Sequence, residues 1–158
     1  MAATRFARDG LAALLLAGCF SAVAAAQQAP AAPSGEREKF RWPLRGAIAT
    51  PFKAGTNDGI DIASPVGVAV HAAADGVCIA AGETIKSYGR MVVIRHDDGF
   101  VTVYADNSEL LVQEGDRVRR GQIIAKSGQT GGAPAPRLHF ELRKDGHAID
   151  PVPHLVPL

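Results

Sequence analysis

From residue 27 onward, the sequence consists of short runs rich in β-branched residues, separated by glycine-containing turns. No stretch repeats apolar residues at the 3.6-residue period of an amphipathic helix. The runs 91–95 and 100–104 flank His96-Asp97-Asp98-Gly99, and an Asp-Gly pair between two such runs is typical of a β-hairpin. The pattern predicts an all-β fold, in which antiparallel sheets pack around one core and leave a groove.

Two further Asp-Gly pairs predict turns. The runs 68–72 and 77–81 flank Asp75-Gly76, so they are predicted to pair as a hairpin. Apolar and polar residues alternate in the run 138–143, which is typical of a strand. That run is followed by Lys144-Asp145-Gly146, which predicts a turn.

The length of 158 residues is enough for one domain and a leader. Residues 39–158 are predicted to form the folded domain, since about 120 residues can bury a core without metals or disulfides. Residues 27–38 are rich in Ala, Pro and polar groups and lack an apolar face, so they predict a disordered linker.

The first 26 residues have the pattern of an export signal. Arg5 and Arg8 precede the apolar run 11–18, which is much shorter than the roughly 20 residues that span a bilayer. A removable signal is therefore predicted, and with it a periplasmic location.

Two cleavage sites compete within this signal. Leu16-Ala17-Gly18-Cys19 resembles a lipobox, in which Cys19 becomes lipidated, whereas Ala24-Ala25-Ala26 fits ordinary signal peptidase. The sequence leaves both open. The only other cysteine, Cys78, lies in an apolar run and is predicted to be a buried hydrophobic residue without a disulfide partner.

Charge restricts the classes of partner. Residues 27–158 contain fifteen basic and fifteen acidic residues. A net charge of zero argues against nucleic acid as a partner and leaves a lipid on Cys19 as the only means of membrane attachment.

Two segments contain residue types that hydrolases use to bind zinc. Such sites take three ligands from His, Asp or Glu and leave a fourth position open for water. Asp61 follows Asn57-Asp58-Gly59-Ile60, and His139 lies within Arg137-Leu138-His139-Phe140-Glu141. Asp61 and His139 are therefore the candidate ligands.

Over residues 40–155 the chain resembles the LytM (lysostaphin-type) peptidoglycan endopeptidases. Each matching piece is short, but the ordered set is specific. In chain order the pieces are Trp42-Pro43 with Gly46, Gly59-Ile60-Asp61-Ile62-Ala63, Ala73-Ala74-Asp75-Gly76-Val77, Tyr88-Gly89, His96 with Gly99, Tyr104-Ala105, Gly115-Asp116 with Val118, Gly121-Gln122 and Leu138-His139-Phe140-Glu141. The resemblance implies the LytM, or duplicated hybrid motif, type of fold.

The enzymes of that family carry H-x-x-x-D, a His after Tyr-Ala, and H-x-H. Asp61 and His139 match two of their zinc ligands. Asn57 takes the place of the first ligand His, Asp106 follows Tyr-Ala, and Arg137 takes the first position of H-x-H. Three of five functional positions are thus changed, so the resemblance implies a degenerate metallopeptidase without a metal cofactor.

The chemistry of the replacements supports this expectation. An amide oxygen is a poor zinc ligand, and a guanidinium is permanently cationic, so Arg137 would repel a metal and cannot act as a base. Asp106 cannot donate a proton to an oxyanion as an imidazole does. Arg137 is instead predicted to pair with Asp61 or Asp106 in the old metal pocket.

The substitutions are similar to those of the NlpD-type murein hydrolase activators, which have degenerate LytM domains, as EnvC-type proteins do. Those activators bind N-acetylmuramoyl-L-alanine amidases through the former zinc groove and act in daughter-cell separation. The resemblance implies an amidase as partner. It also implies a partner-binding groove formed by Asn57, Asp61, Tyr88, Asp106, Arg137 and His139.

One departure from this type is that only a short linker precedes the domain, where NlpD-type proteins usually carry a peptidoglycan-binding LysM module. Two other functions stay open from the sequence. One is a zinc D,D-endopeptidase with unusual ligands that cleaves peptidoglycan cross-links. The other is a plain wall-binding module with peptidoglycan as its partner.

Overall fold

The computed structural model describes residues 40–156. The predicted export signal with Cys19, the predicted linker and the outermost residues of the predicted domain lie outside this range. Among the described residues, no helix has the length and hydropathy needed to cross a bilayer.

The described residues form eleven β-strands and two one-turn 3-10 segments. The strands are β1 (Ile48–Thr50), β2 (Ile60–Ala63), β3 (Ala69–His71), β4 (Gly76–Gly82), β5 (Arg90–Arg95), β6 (Phe100–Asn107), β7 (Glu109–Leu110), β8 (Arg117–Val118), β9 (Ile123–Lys126), β10 (Arg137–Lys144) and β11 (His147–Ile149). The 3-10 segments are Lys86–Tyr88 and Val152–His154.

The strands form two antiparallel sheets. The larger has the order β1-β2-β10-β6-β5-β4-β8 with β11 on β10, and the smaller has the order β3-β9-β7. The predicted all-β antiparallel fold is confirmed. Apolar side chains from both sheets form the core, which includes Ile62, Val70, Ile124 and Phe140. Cys78 is 1% exposed and belongs to the same core, as predicted.

The predicted 91–95/100–104 hairpin is confirmed as β5–β6. The His96 N–H donates to the Phe100 carbonyl at 2.9 Å to close the loop. Asp98 and Gly99 take φ of 54° and 75°, the left-handed conformation that Asp and Gly tolerate best. The turn after β10 is also confirmed, because β10 pairs with β11 across Asp145-Gly146.

The predicted hairpin between 68–72 and 77–81 is wrong. β3 pairs with β9 in the smaller sheet, whereas β4 pairs with β5 and β8 in the larger one. Asp75-Gly76 therefore carries the chain from one sheet to the other. An Asp-Gly pair predicts a change of chain direction but does not identify which strands pair with each other. Here β4 forms its longest pairing with β5, and β3 pairs with β9 instead.

A buried polar chain holds this crossover in place. The Asp75 carbonyl lies 2.6 Å from Nδ1 of His96, whose Nε2 lies 2.8 Å from the Thr102 hydroxyl. The Tyr104 hydroxyl lies 3.0 Å from that of Thr102 and accepts from the Ala73 N–H at 2.8 Å. Burial lowers the pKa of His96, so the ring stays neutral within this chain. The sequence placed His96 only at the start of a turn and gave it no structural role.

Candidate functional site

Three neighbouring strands of the larger sheet carry four of the six predicted groove residues, Asp61, Asp106, Arg137 and His139. Asp61 on β2 is the cross-strand partner of His139 on β10, and His139 also pairs with Ala105 on β6. Directly paired residues project to the same face of a sheet, so this register brings the two former ligand positions together. Asp106 follows Ala105 with φ of 64°, a left-handed conformation that Asp adopts more readily than most residues.

These side chains border an open cavity of about 730 Å³, here called the groove. All six predicted groove residues lie along it. Its lining consists of Thr50, Gly55, Thr56, Asn57, Asp58, Asp61, Ser87, Tyr88, Ala105, Asp106, Arg137, His139 and Glu141. The six positions thus border one cavity, and their role in binding a partner stays a proposal.

The centre of the groove contains a double ion pair. Nε of Arg137 donates to Oδ2 of Asp106 at 2.7 Å, and Nη1 donates to Oδ2 of Asp61, also at 2.7 Å. The side chains of Asp106 and Asp61 are 1% and 5% exposed, and the side chain of Arg137 is 22% exposed. Arg137 was predicted to pair with one of the two aspartates and contacts both. Its cation thus compensates the charge of both carboxylates, and within residues 40–156 Asp106 forms no other ion pair.

His139 lies between two further carboxylates. Its Nδ1 is 2.6 Å from Oδ1 of Asp61 and its Nε2 is 3.2 Å from Oε1 of Glu141. Burial lowers the pKa of His139, but the hydrogen bonds to the two carboxylates outweigh burial and raise this pKa to about 9. His139 is therefore an imidazolium that donates from both nitrogens near neutral pH. An imidazole in that state has no lone pair for a metal.

The pKa values of Asp61 and Asp106 are shifted in opposite directions. Burial opposes ionisation of Asp61, yet hydrogen bonds from His139 and Thr50 prevail and lower its pKa. Burial raises the pKa of Asp106, and the hydrogen bond from Arg137 counteracts only part of this rise. Ionised Asp106 thus depends on Arg137 for charge compensation.

Glu141 is a site residue that the sequence interpretation did not include. Its carboxylate accepts from the Tyr88 hydroxyl at 2.6 Å and from Nε of Arg143 at 2.7 Å. Burial opposes its ionisation, but hydrogen bonds from His139, Tyr88 and Arg143 outweigh burial and lower the pKa of Glu141 to about 2. Burial, together with this carboxylate, raises the pKa of Tyr88 to about 12.

The alternation of side chains along the predicted strand could have placed Glu141 in the site. Side chains two apart on a strand share a face, so residues 137, 139, 141 and 143 of β10 all project to the same side. Arg143 also reaches Asp58 at 3.3 Å. The network therefore extends from Asp106 to Asp58, beyond the predicted positions.

Asn57 has a structural role in the loop before β2. Its side-chain NH₂ donates to the carbonyls of Pro51 at 3.0 Å and Gly59 at 2.8 Å. These contacts connect the two ends of the loop that forms one wall of the groove. The amide thus bonds to backbone at the position where a metallopeptidase of this type has its first ligand.

The residues present do not fit a zinc ion. Both Asp61 oxygens are hydrogen-bonded, His139 donates from both ring nitrogens, and a guanidinium lies at the adjacent position. Within residues 40–156, no group of three or more His, Cys, Asp or Glu side chains has the arrangement needed to hold a metal ion. A metal would have to displace Arg137 and remove a proton from His139 before it could bind.

Stability should depend on the charge of His139. A group whose pKa is raised on folding stabilises the folded state fully below its unfolded pKa, near 6.5, and loses that contribution as pH rises through about 9. We expect the free energy of unfolding to fall by about 3 kcal/mol between pH 6 and pH 9.5, measured by urea denaturation. His139→Gln should remove this decline. A decline of equal size in the variant would assign it to other groups.

The fold and the groove define a LytM-type domain, and comparison with known proteins agrees. Residues 55–151 match the family model described as Peptidase family M23, and the chain belongs to this family. A solved structure of a zinc-containing peptidase from Vibrio cholerae superposes with a TM-score of 0.70 at 28% identity, over 77% of this chain and 41% of that one.

Two curated relatives are more similar in sequence. The murein hydrolase activator NlpD of Escherichia coli (strain K12) is 42% identical over 118 residues, which cover 73% of this chain and 31% of the relative. A relative named as the uncharacterized lipoprotein YgeR of the same organism is 39% identical over 127 residues, covering 79% of this chain and 50% of the relative. The chain thus spans about a third of the length of NlpD.

Proposed function

We propose that this protein is a non-catalytic activator of periplasmic N-acetylmuramoyl-L-alanine amidases, and that it acts in peptidoglycan remodelling and daughter-cell separation. The groove is its partner-binding surface. The name of the NlpD relative and the retained fold support this activity. Since NlpD is about three times longer than the matched segment, the proposal assigns activation to the LytM-type domain alone.

The observation that carries the proposal is the position of Arg137. A permanent cation bridges Asp61 and Asp106 in the pocket where the peptidases of this family bind their metal. Hydrolysis by a metal-bound water needs three ligands and an open position, and this arrangement supplies neither. The groove itself stays open, about 730 Å³ in volume, and bordered by polar side chains that a protein partner can contact.

Activation by such a groove is a shift between two states of the amidase. The domain binds the amidase conformation whose inhibitory segment is displaced, and binding that conformation more tightly raises its population. A shift from mostly closed to mostly open requires about 5 kcal/mol of differential affinity. The fixed network around Arg137 and His139 keeps the groove in one shape, so little ordering entropy is lost on binding.

Dye release from labelled sacculi tests the proposal. A chain of residues 27–158 is mixed with purified periplasmic amidases, and we expect release at least about tenfold above that of the amidase alone. The chain without amidase should release nothing. The double variant Tyr88→Ala/Asn57→Ala alters two walls of the groove while leaving the Arg137 ion pairs in place, and it should activate poorly. Variant melting curves check that the fold is retained.

The two other functions predict different results in the same assay. A zinc D,D-endopeptidase would contain stoichiometric metal and release dye without amidase, which would overturn the proposal. A wall-binding module would sediment with sacculi and leave the amidase rate unchanged. We favour activation because the Arg137 ion pairs occupy the metal position while the groove beside them stays accessible.

Location forms a separate part of the proposal. Relatives named as lipoproteins support an envelope position for this chain, and the predicted signal supports export to the periplasm. Lipidation at Cys19 is one of two processing routes. Mass spectrometry of the mature N-terminus distinguishes an acylated Cys19 from a chain that begins at Gln27.

A further inference from the structure

A row of alternating arginine and valine side chains crosses the larger sheet. Val77 on β4 pairs on one side with Arg117 of β8 and on the other with Arg95 of β5. Val101 on β6 pairs in turn with Arg95 and with Arg143 of β10. The order across five neighbouring strands is therefore Arg-Val-Arg-Val-Arg. Arg117, Arg95 and Arg143 are here called the arginine row.

The row faces away from the core. Directly paired residues share one face of a sheet, and the alternate residues Cys78, Ile94 and Leu142 are buried in the core. Arg95 and Arg117 are exposed, and the two valines are partly exposed. Adjacent strands lie about 4.8 Å apart, so successive arginines of the row are spaced by roughly 10 Å.

The row begins at the groove. Arg143 contacts Glu141, which lines the groove, and Asp58 on its rim. Arg95 and Arg117 form no ion pair within residues 40–156. The nearest acidic neighbour of Arg117 in sequence, Asp116, accepts from the Gln113 N–H at 3.0 Å. Two exposed guanidiniums thus extend outward from the groove.

We propose that the arginine row binds an acidic segment of the amidase, next to the part of the amidase held by the groove. This deepens the activator function and rests on it. Guanidiniums pair with carboxylates in bidentate geometry, and the intervening valines favour a partner that also presents apolar side chains. A membrane surface or a polyanion is disfavoured because residues 27–158 carry no net charge and thus no broad positive field.

The experiment compares activation curves of the full chain, wild type and the double variant Arg95→Gln/Arg117→Gln. Both residues lie outside the groove, so the fold and the maximal amidase rate should be unchanged. We expect the concentration for half-maximal activation to rise roughly tenfold, which corresponds to about 1.4 kcal/mol. Raising NaCl from 50 to 300 mM should weaken the wild type and affect the double variant much less. Arg45→Gln, an exposed arginine off the row, is the matched control.

Other outcomes separate this proposal from the activator function. If wild type activates but the double variant shows the same half-maximal concentration and salt dependence, the row proposal fails while the activator function stands. If wild type activates no amidase, the activator function fails and the row proposal fails with it. Sedimentation of wild type, but not the double variant, with amidase-free sacculi or with anionic vesicles would assign the row to wall or membrane and overturn the proposal.

Discussion

Replacing Arg137 with Ala is expected to lower the free energy of unfolding by about 3 kcal/mol at pH 7. The change leaves Asp61 and Asp106, which are 5% and 1% exposed, without the cation that bridges them. Removing one partner of a buried ion pair costs about 3–5 kcal/mol. We place this case at the lower end because the Arg137 side chain is itself 22% exposed. Urea denaturation monitored by circular dichroism measures the loss.

The control for this change is Arg137→Lys. A lysine keeps the charge but cannot donate to both carboxylates in the planar geometry of a guanidinium, so its cost should be intermediate. At acidic pH the difference between wild type and Arg137→Ala should shrink, because protonation of Asp106 removes the uncompensated charge; burial already raises the pKa of that carboxyl. Equal stability of Arg137→Ala and wild type at pH 7 would show that the ion pairs contribute nothing.

Replacing Gly59 with Ala is expected to cost about 3 kcal/mol or more, or to prevent folding. An added Cβ would lie 2.3 Å from the Phe140 carbonyl oxygen and 2.9 Å from Cγ of Glu141. The closer atom belongs to the backbone, so β2 and β10 would have to separate at the strand pair that carries Asp61 and His139. Thermal and urea denaturation measure the effect.

Gly55→Ala is the matched control for Gly59→Ala. Gly55 lies in the same loop with φ of 76°, and nothing is within 4 Å of a Cβ added there. Its replacement should cost only the strain of a left-handed alanine, about 1 kcal/mol. Similar losses in the two variants would mean that close packing at Gly59 is not what holds the two strands together.

Local patterns in the sequence predicted most of the fold. Asp98-Gly99 closes the expected β5–β6 hairpin, and a turn forms at Asp145-Gly146 as expected. Asp75-Gly76 carries the same signal and does not form a hairpin. The buried contacts of His96 and Tyr104 that place this turn between the sheets join residues more than twenty positions apart, so no short window could reveal them.

The sequence indicated those groove residues that match motif positions of the LytM-type enzymes. The groove is lined by all five positions taken from the family motifs: Asn57, Asp61, Asp106, Arg137 and His139. Arg137 was expected to pair with Asp61 or Asp106, and it pairs with both. The contribution of Glu141, Arg143 and Asp58 was not anticipated. Those residues are not ligand positions of the family. Their charges interact because β10 places Glu141 and Arg143 on one face and the loop before β2 brings Asp58 to Arg143.

The guanidinium of Arg137, which pairs with two carboxylates, also determines how easily a metal site could arise in this groove by substitution. Arg137→His alone would exchange a permanent charge for a titratable one while Asp61 and Asp106 remain in place, so this substitution costs stability before any metal can bind. Asn57→His alone would break the loop contacts to Pro51 and Gly59. Each single substitution is therefore unfavourable by itself, so a metal site in this groove would require both changes together.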